Sequence, residues 1–121
     1  MILSIIDEEL SVCKVADFSG IDFSVPYTFT GSTDDEKSLV CPIRLVPDNT
    51  VERDDGWRAF RIEGTLDFSL IGIIASISKV LADGEIGIFV ISTFNTDYIL
   101  TKSESFERAI GLLKSAGYSI K

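Results

Sequence analysis

Two polar turns hold most of the side chains in this chain that could do chemistry. The first is Gly64-Thr65-Leu66-Asp67, running into Phe68-Ser69; the second is Thr93-Phe94-Asn95-Thr96-Asp97. Each sets hydroxyls, an aspartate and free backbone groups between apolar elements, which is the pattern of a small-molecule site. Backbone N–H groups at a helix start over Phe68-Ser69-Leu70 would hold a carboxylate. Asp67, Asp97 and turn carbonyls would take an ammonium, and Phe94 could cover a side-chain stem or a cation. Against this, Asp67 can equally be a helix cap, and Thr93 and Phe94 can simply shape a hairpin. Asp97 stands at a strand start, where aspartate is disfavoured, a local rule broken beside a turn.

Other chemistries are excluded or weakened by what the chain lacks. There is no histidine, which removes Ser-His and Cys-His pairs and the commonest metal ligand. Cys13 and Cys41 are too few for a structural zinc site and read as inert core thiols. Asp34-Asp35-Glu36 could suggest a hard cation, but calcium loops need more oxygen ligands at fixed spacing, so a solvated turn is the default. No metal or cofactor is expected. Asp67 or Asp97 as a general base has no nucleophile beside it in the sequence, so the chain is not expected to be an enzyme.

With 19 acidic against 11 basic residues the net charge is −8, a field that disfavours nucleic acid and anionic membrane surfaces. No apolar run is long enough to span a membrane. The N-terminus turns acidic after a few residues and has no signal-peptide pattern. A cytoplasmic protein with reduced cysteines is expected.

The elements that must position the two turns follow from periodicity. Residues 2–6 and 10–15 are strand-like and separated by an acidic turn, Asp7-Glu8-Glu9. A loop over 16–26 follows, in which Ile21, Phe23 and Val25 could cover a sheet end. Residues 27–30 and 37–41 form a hairpin, 42–47 is a short apolar segment between prolines, and the polar stretch 48–56 is the best internal boundary. Residues 57–63 alternate as a strand, with Phe60 and Ile62 on one face. Asp67 or Ser69 can then cap a helix whose apolar face holds Leu70, Ile71, Ile73, Ile74, Ile77, Val80 and Leu81. Asp83-Gly84 ends it, with the glycine available for a left-handed cap. Residues 86–91, apolar on both faces, read as a central strand, with 96–101 as its hairpin partner. A helix opens at Ser103 with Phe106, Ala109, Ile110 and Leu113 on one face; Gly117 stops it and 118–120 form a last strand. Strand, helix, strand, strand, helix, strand is the ferredoxin-like arrangement, an α+β fold with an antiparallel sheet and both helices on one face. The first half reads as strands without long helices.

The segments WRAFRIEGTLDFSLIGIIASISKVL and GIFVISTFNTDYIL resemble the ACT-domain family. More narrowly, they resemble small bacterial two-ACT relatives of the cytosolic arginine sensors (CASTOR-type) of animals. Shorter pieces, SVCKV at 11–15 and Ser38-Leu39-Val40-Cys41-Pro42, extend the resemblance to nearly the whole chain. It implies a reduced ACT-like unit over residues 1–55 and an ACT domain over 56–121, pairing as a homodimer. It also implies an amino acid or similar ligand held at an interface between units. Carried onto matching positions, the first turn offers Leu66, Asp67, Phe68 and Ser69, the middle turn Thr93, Phe94 and Asp97, and a facing helix Ser76 and Ile77. A non-enzymatic amino-acid-binding regulatory module is the function expected; the alternative is a structural dimerisation or protein-interaction module that binds no small ligand.

Overall fold

A strand requires only that alternate side chains find a core and solvent, and the N-terminal residues meet that requirement without a break. In this computed structural model, which describes residues 1–63 and 72–121, β1 runs over Ile2–Val15. The sequence predicts an acidic turn at Asp7-Glu8-Glu9; instead these residues continue the strand. Asp7 and Glu9 are exposed and Glu8 pairs with Arg44 at 2.9 Å, so their charges cost the strand no burial.

The predicted boundary over 48–56 is likewise mostly strand. β4 spans Thr50–Ile62, and its polar side chains are bonded rather than loose. Arg53 donates to both oxygens of Asp55, each at 3.0 Å, and Asp55 accepts the buried Ser11 hydroxyl at 2.6 Å. Gly56 takes φ +87 inside the strand, a backbone open to glycine that breaks the side-chain alternation.

The chain forms two compact units, Glu8–Trp57 and Met1–Asp7 with Arg58–Lys121, so β1 and β4 each contribute to both. In the unit Glu8–Trp57 the strands lie in the order β2 (Phe29–Ser32), β3 (Lys37–Pro42), β1, β4. Residues Ile43–Leu45 form one 3-10 turn. Its core is small: Cys13, Val15, Leu39 and Cys41, with Phe18, Ile21 and Val46 packed on it. Phe23, expected to help cover the sheet end, is exposed. Burial pushes the Cys41 thiol up to about 11, which keeps it protonated at neutral pH.

In the unit of Met1–Asp7 and Arg58–Lys121 the order is β7 (Ser119–Ile120), β1, β4, β6 (Asp97–Lys102), β5 (Phe89–Ser92). Helices α1 (Ile73–Asp83) and α2 (Ser103–Ser115) pack Ile77, Leu81, Phe106, Ala109, Ile110 and Leu113 against Leu3, Phe60, Ile62 and Ile99 of the strands. The fold is α+β, mostly antiparallel, with the ferredoxin-like run β4-α1-β5-β6-α2-β7. One feature departs from a self-contained run. β7 pairs in parallel with β1, Ile2 opposite Ser119, so the N-terminal strand stands between β4 and β7.

Two local expectations are corrected. The apolar run 86–91 yields an edge strand, β5, bonded among the described residues to β6 alone. Ile86 is buried in the core beneath the helices while Val90 is exposed, so the run is apolar for two separate reasons. At the end of α1, Gly84 has φ −87 and Glu85 takes the left-handed position at φ +59.

The two hairpins repeat each other. Phe29-x-x-Ser32-Thr33 and Phe89-x-x-Ser92-Thr93 carry the same three residues at the same spacing. Phe29 lies opposite Val40 and Phe89 opposite Leu100; Ser32 faces Lys37 and Ser92 faces Asp97.

Candidate ligand-binding site

The middle turn is built by its own threonines. The Thr93 N–H and hydroxyl both donate to the Thr96 carbonyl at 2.9 Å, and the Thr96 N–H returns to Thr93 Oγ1 at 3.4 Å. Such side-chain bonds let a hydroxyl stand in for a backbone group in a tight turn. Thr96 is buried, and its hydroxyl donates to the Ile62 carbonyl at 2.8 Å. That bond ties the turn to the last residues of β4.

A cavity of about 350 Å³ opens there, lined by Arg61, Ile62, Glu63, Thr93, Asn95, Thr96 and Tyr98. Its size lies within the range of small-molecule sites. Glu63, on its lining, is the last described residue before 64–71. Ser4 donates to Glu63 Oε2 at 2.7 Å and Lys121 to Oε1 at 3.2 Å. Arg61 Nε lies 3.9 Å from Oε2. These partners, the Ser4 hydroxyl first and then Lys121, hold the Glu63 carboxyl below its usual value of 4.5. Arg61 Nη1 donates to the Tyr98 hydroxyl at 3.2 Å, with the guanidinium 6.0 Å from the ring centre.

Of the residues predicted from sequence, Thr93 lines this cavity. Phe94 is 83% exposed beside it, and Asp97 closes the hairpin opposite Ser92. Ser76 shares a hydrogen bond of 2.8 Å with the Tyr118 hydroxyl. Ile77 is wholly buried in the core, because the α1 face that carries it is the face packed on the sheet; its side chain is not open to a ligand. Leu66, Asp67, Phe68 and Ser69, and the cap expected from Asp67 or Ser69, lie outside the described residues.

Arg61, Glu63, Asn95 and Tyr98 are lining residues that sequence reasoning missed. A signal for two of them existed: Arg61 and Glu63 alternate with buried Phe60 and Ile62, so they are the outward set of a strand leading into a polar turn. The triplet Asp-Phe-Ser of 67–69 also occurs at 17–19 and 22–24. There the aspartate accepts its own serine's N–H at 3.0 Å and hydroxyl at 2.5 or 2.6 Å, which lowers both carboxyl pKa values. Among the described residues no group of three or more cysteines and carboxylates is placed to hold a metal ion. Among them, too, no helix is long and apolar enough to cross a membrane.

A βαββαβ run of this kind, with a polar cavity where its first strand meets the middle turn, defines a small ferredoxin-like module. Residues 52–115 match the ACT domain family, more than half of the chain, and the chain belongs to that family. Among solved structures it is similar to the Agobacterium tumefaciens protein Atu0741, at 32% identity and TM-score 0.86, covering 99% of this chain and 91% of that one. The fold is shared with aspartate kinase of Clostridium acetobutylicum, at 14% identity and TM-score 0.67 over 90% of this chain and 32% of the kinase. It is shared also with a putative C-terminal regulatory domain of aspartate kinase from Porphyromonas gingivalis, at 15% identity and TM-score 0.57, covering 93% and 95% of the two chains. No match was found among curated proteins.

Proposed function

We propose that this chain is a non-enzymatic regulatory module that binds a free amino acid. The observation that carries the reading is the cavity of about 350 Å³ whose lining combines a guanidinium, a carboxylate, an amide and several hydroxyls. That mixture suits a zwitterion, and membership of the ACT family together with the likeness to a kinase regulatory domain supports the role. In this reading Leu66, Asp67, Phe68 and Ser69 complete the site from the first turn, with Asp67 taking the ammonium and the N–H groups of the turn the carboxylate. Thr93 lines it, and Phe94 and Asp97 border it. Two copies of the chain pair as a cytoplasmic homodimer, and Ser76 on the second copy's helix faces the ligand.

The module is read as tandem: a reduced ACT-like unit over 1–55 and an ACT domain over 56–121, akin to relatives of the cytosolic arginine sensors. The repeated hairpins at Phe29–Ser32 and Phe89–Ser92 support that reading. Ligand binding acts by linkage. An amino acid that prefers one pairing geometry shifts the equilibrium toward it by its differential affinity.

A thermal-shift and calorimetry screen of all common amino acids tests this. A ligand at a hundred times its Kd stabilises the fold by about 2.7 kcal/mol, so a true ligand raises Tm measurably at millimolar levels. Failure of every amino acid to do so sinks the reading. The second reading, an interaction module without a small ligand, is favoured by the exposure of Phe94 and of Val90 on edge strand β5. It predicts that Phe94→Ala abolishes association with a partner protein while leaving Tm unchanged.

A further inference from the structure

We propose that the unit Glu8–Trp57 carries a further binding site, for a small aliphatic amine in its ammonium form, that shares no lining residue with the cavity at Thr93. A recess of about 70 Å³ opens between the loop over 16–28, strand β3 and the 3-10 turn, lined by Ile21, Asp22, Thr28, Leu39, Cys41 and Leu45. Gly20 and Leu45 also line an open hollow of about 450 Å³ outside it. The inner space suits an aliphatic group. Ile21, Leu39 and Leu45 are apolar, and burial keeps the Cys41 thiol protonated at neutral pH. A water-sized group needs about 10–15 Å³ of such space, so the recess takes roughly five of them, the size of a short branched chain.

The charges select the head group. Among the described residues that line the recess, Asp22 alone is charged. Its Oδ1 accepts the Ser24 N–H at 3.0 Å and the Ser24 hydroxyl at 2.6 Å, which fixes the carboxylate and leaves Oδ2 to take a donor. The cation of the outer hollow, Arg44, is already held by Glu8 at 2.9 Å, whereas the Asp48 carboxylate stands exposed on the same lining. The unit holds 11 acidic against 4 basic residues, a net −7, a field that draws cations and repels anions. An ammonium brings three N–H donors, and a carboxylate and a hydroxyl can both accept them; Asp22 and Thr28 supply these on one lining. The loop that presents them is fastened. Asn49 Nδ2 donates to the Asp17 carbonyl at 3.2 Å and to its carboxylate at 2.9 Å, and Tyr27, next to Thr28, is held at φ +64. A bulky side chain is strained in that left-handed conformation, and such strain collects at ligand clamps.

Isothermal titration of the full chain with isopentylamine, isopentanol and isovalerate decides the matter, because the three share a branched chain and differ in the head: ammonium, hydroxyl or carboxylate. The amine is expected to bind about threefold tighter than the alcohol, as one exposed ion pair allows, with isovalerate weaker than both. Asp22→Asn should lower the affinity for the amine to that for the alcohol. Leu45→Phe, which fills the recess, should abolish binding of the amine. Asp34→Asn, which removes an exposed carboxylate from the hairpin turn of the same unit, should leave it unchanged, and circular dichroism of each variant shows that it folds. Equal binding of amine and alcohol, tighter binding of isovalerate, or unchanged amine affinity in Asp22→Asn overturns the proposal, as does the absence of amine binding at millimolar concentrations. The amino-acid reading of the cavity at Thr93 is tested by its own screen and is untouched by these outcomes.

Discussion

Glu63 sits where Ser4 and Lys121 donate to its carboxylate at 2.7 and 3.2 Å and Arg61 stands 3.9 Å away. Because these partners favour the charged form, its folded-state pKa lies below 4.5. A depressed carboxyl pKa contributes stability that is fully present above the unfolded value and is lost as pH falls through the folded one. Unfolding followed by urea between pH 6 and 3 should therefore show a decline below about pH 4.5 that is shallower in Glu63→Gln. Asp17 and Asp22 are depressed in the same direction by Ser19 and Ser24, so the substitution flattens the decline only in part. An identical acid limb in native and variant proteins would show that the Glu63 contacts are not made in solution. Neither Ser4 nor Lys121 was legible locally, since they lie 59 and 58 positions from Glu63; only Arg61, two residues before it, shares its strand face.

The two helices end in the same way with different residues. At α1 the Ile86 N–H bonds the Leu81 carbonyl and the Glu85 N–H bonds that of Ala82, both at 2.9 Å. At α2 the Tyr118 and Gly117 N–H groups bond Leu113 and Lys114, both at 3.0 Å. This is the Schellman pattern, which needs one left-handed residue. Gly117 supplies it at φ +100, whereas Glu85 supplies it at φ +59. A side chain in that conformation is strained by about 1 kcal/mol. Glu85→Gly should accordingly raise stability by roughly 0.5–1 kcal/mol, and Gly117→Ala should lower it by about 1 kcal/mol or more. A β-carbon at Gly117 meets nothing within 4 Å, so that cost is conformational rather than steric. Urea midpoints moving in these opposite directions check the assignment; a shift of the same sign in both would contradict it. The α2 boundaries were readable in advance, because Ser103, the 3.6-residue apolar spacing and Gly117 all agree. The end of α1 misled because Gly84 is the residue expected to cap, yet a side chain there would strike Leu112. Gly84 therefore does not supply the left-handed turn, and the contact its β-carbon would make is with the movable end of the Leu112 side chain.

At the scale of the molecule, the N-terminal strand is not a detachable tail. Met1–Asp7 belongs to the compact unit that holds Arg58–Lys121, and Leu3 is fully buried among Phe60, Ile77 and Leu113. Chain termini usually tolerate change, but here Leu3→Ala should cost about 2–5 kcal/mol, as deletions in cores do. A loss below about 0.5 kcal/mol in denaturant unfolding would mean that β1 does not complete this core. Strand β7 depends on the same residues, since Ser119 and Lys121 donate to the Met1 and Leu3 carbonyls at 3.1 and 2.8 Å.

The sequence by itself determined the α+β class, the order β4-α1-β5-β6-α2-β7, the buried face of α2 and, at Ile77 and Leu81, that of α1, whose expected first residues Leu70 and Ile71 lie outside the described residues. Each of these follows from side-chain periodicity, which is a local property. It also singled out Thr93, which lines the cavity, since a hydroxyl in a polar turn can be recognised without its neighbours. Tertiary structure alone decided that β1 stands between β4 and β7, that the run over 86–91 ends in an edge strand, and that Ile77 serves the core. It also decided that Arg61, Glu63 and Tyr98 share one cavity with Thr93. The physical reason is the same in each case. Periodicity tells which side of an element faces inward, but which strands become neighbours is set by pairing and burial among residues far apart in the chain, and the charged lining of the cavity exists only once those neighbours are chosen.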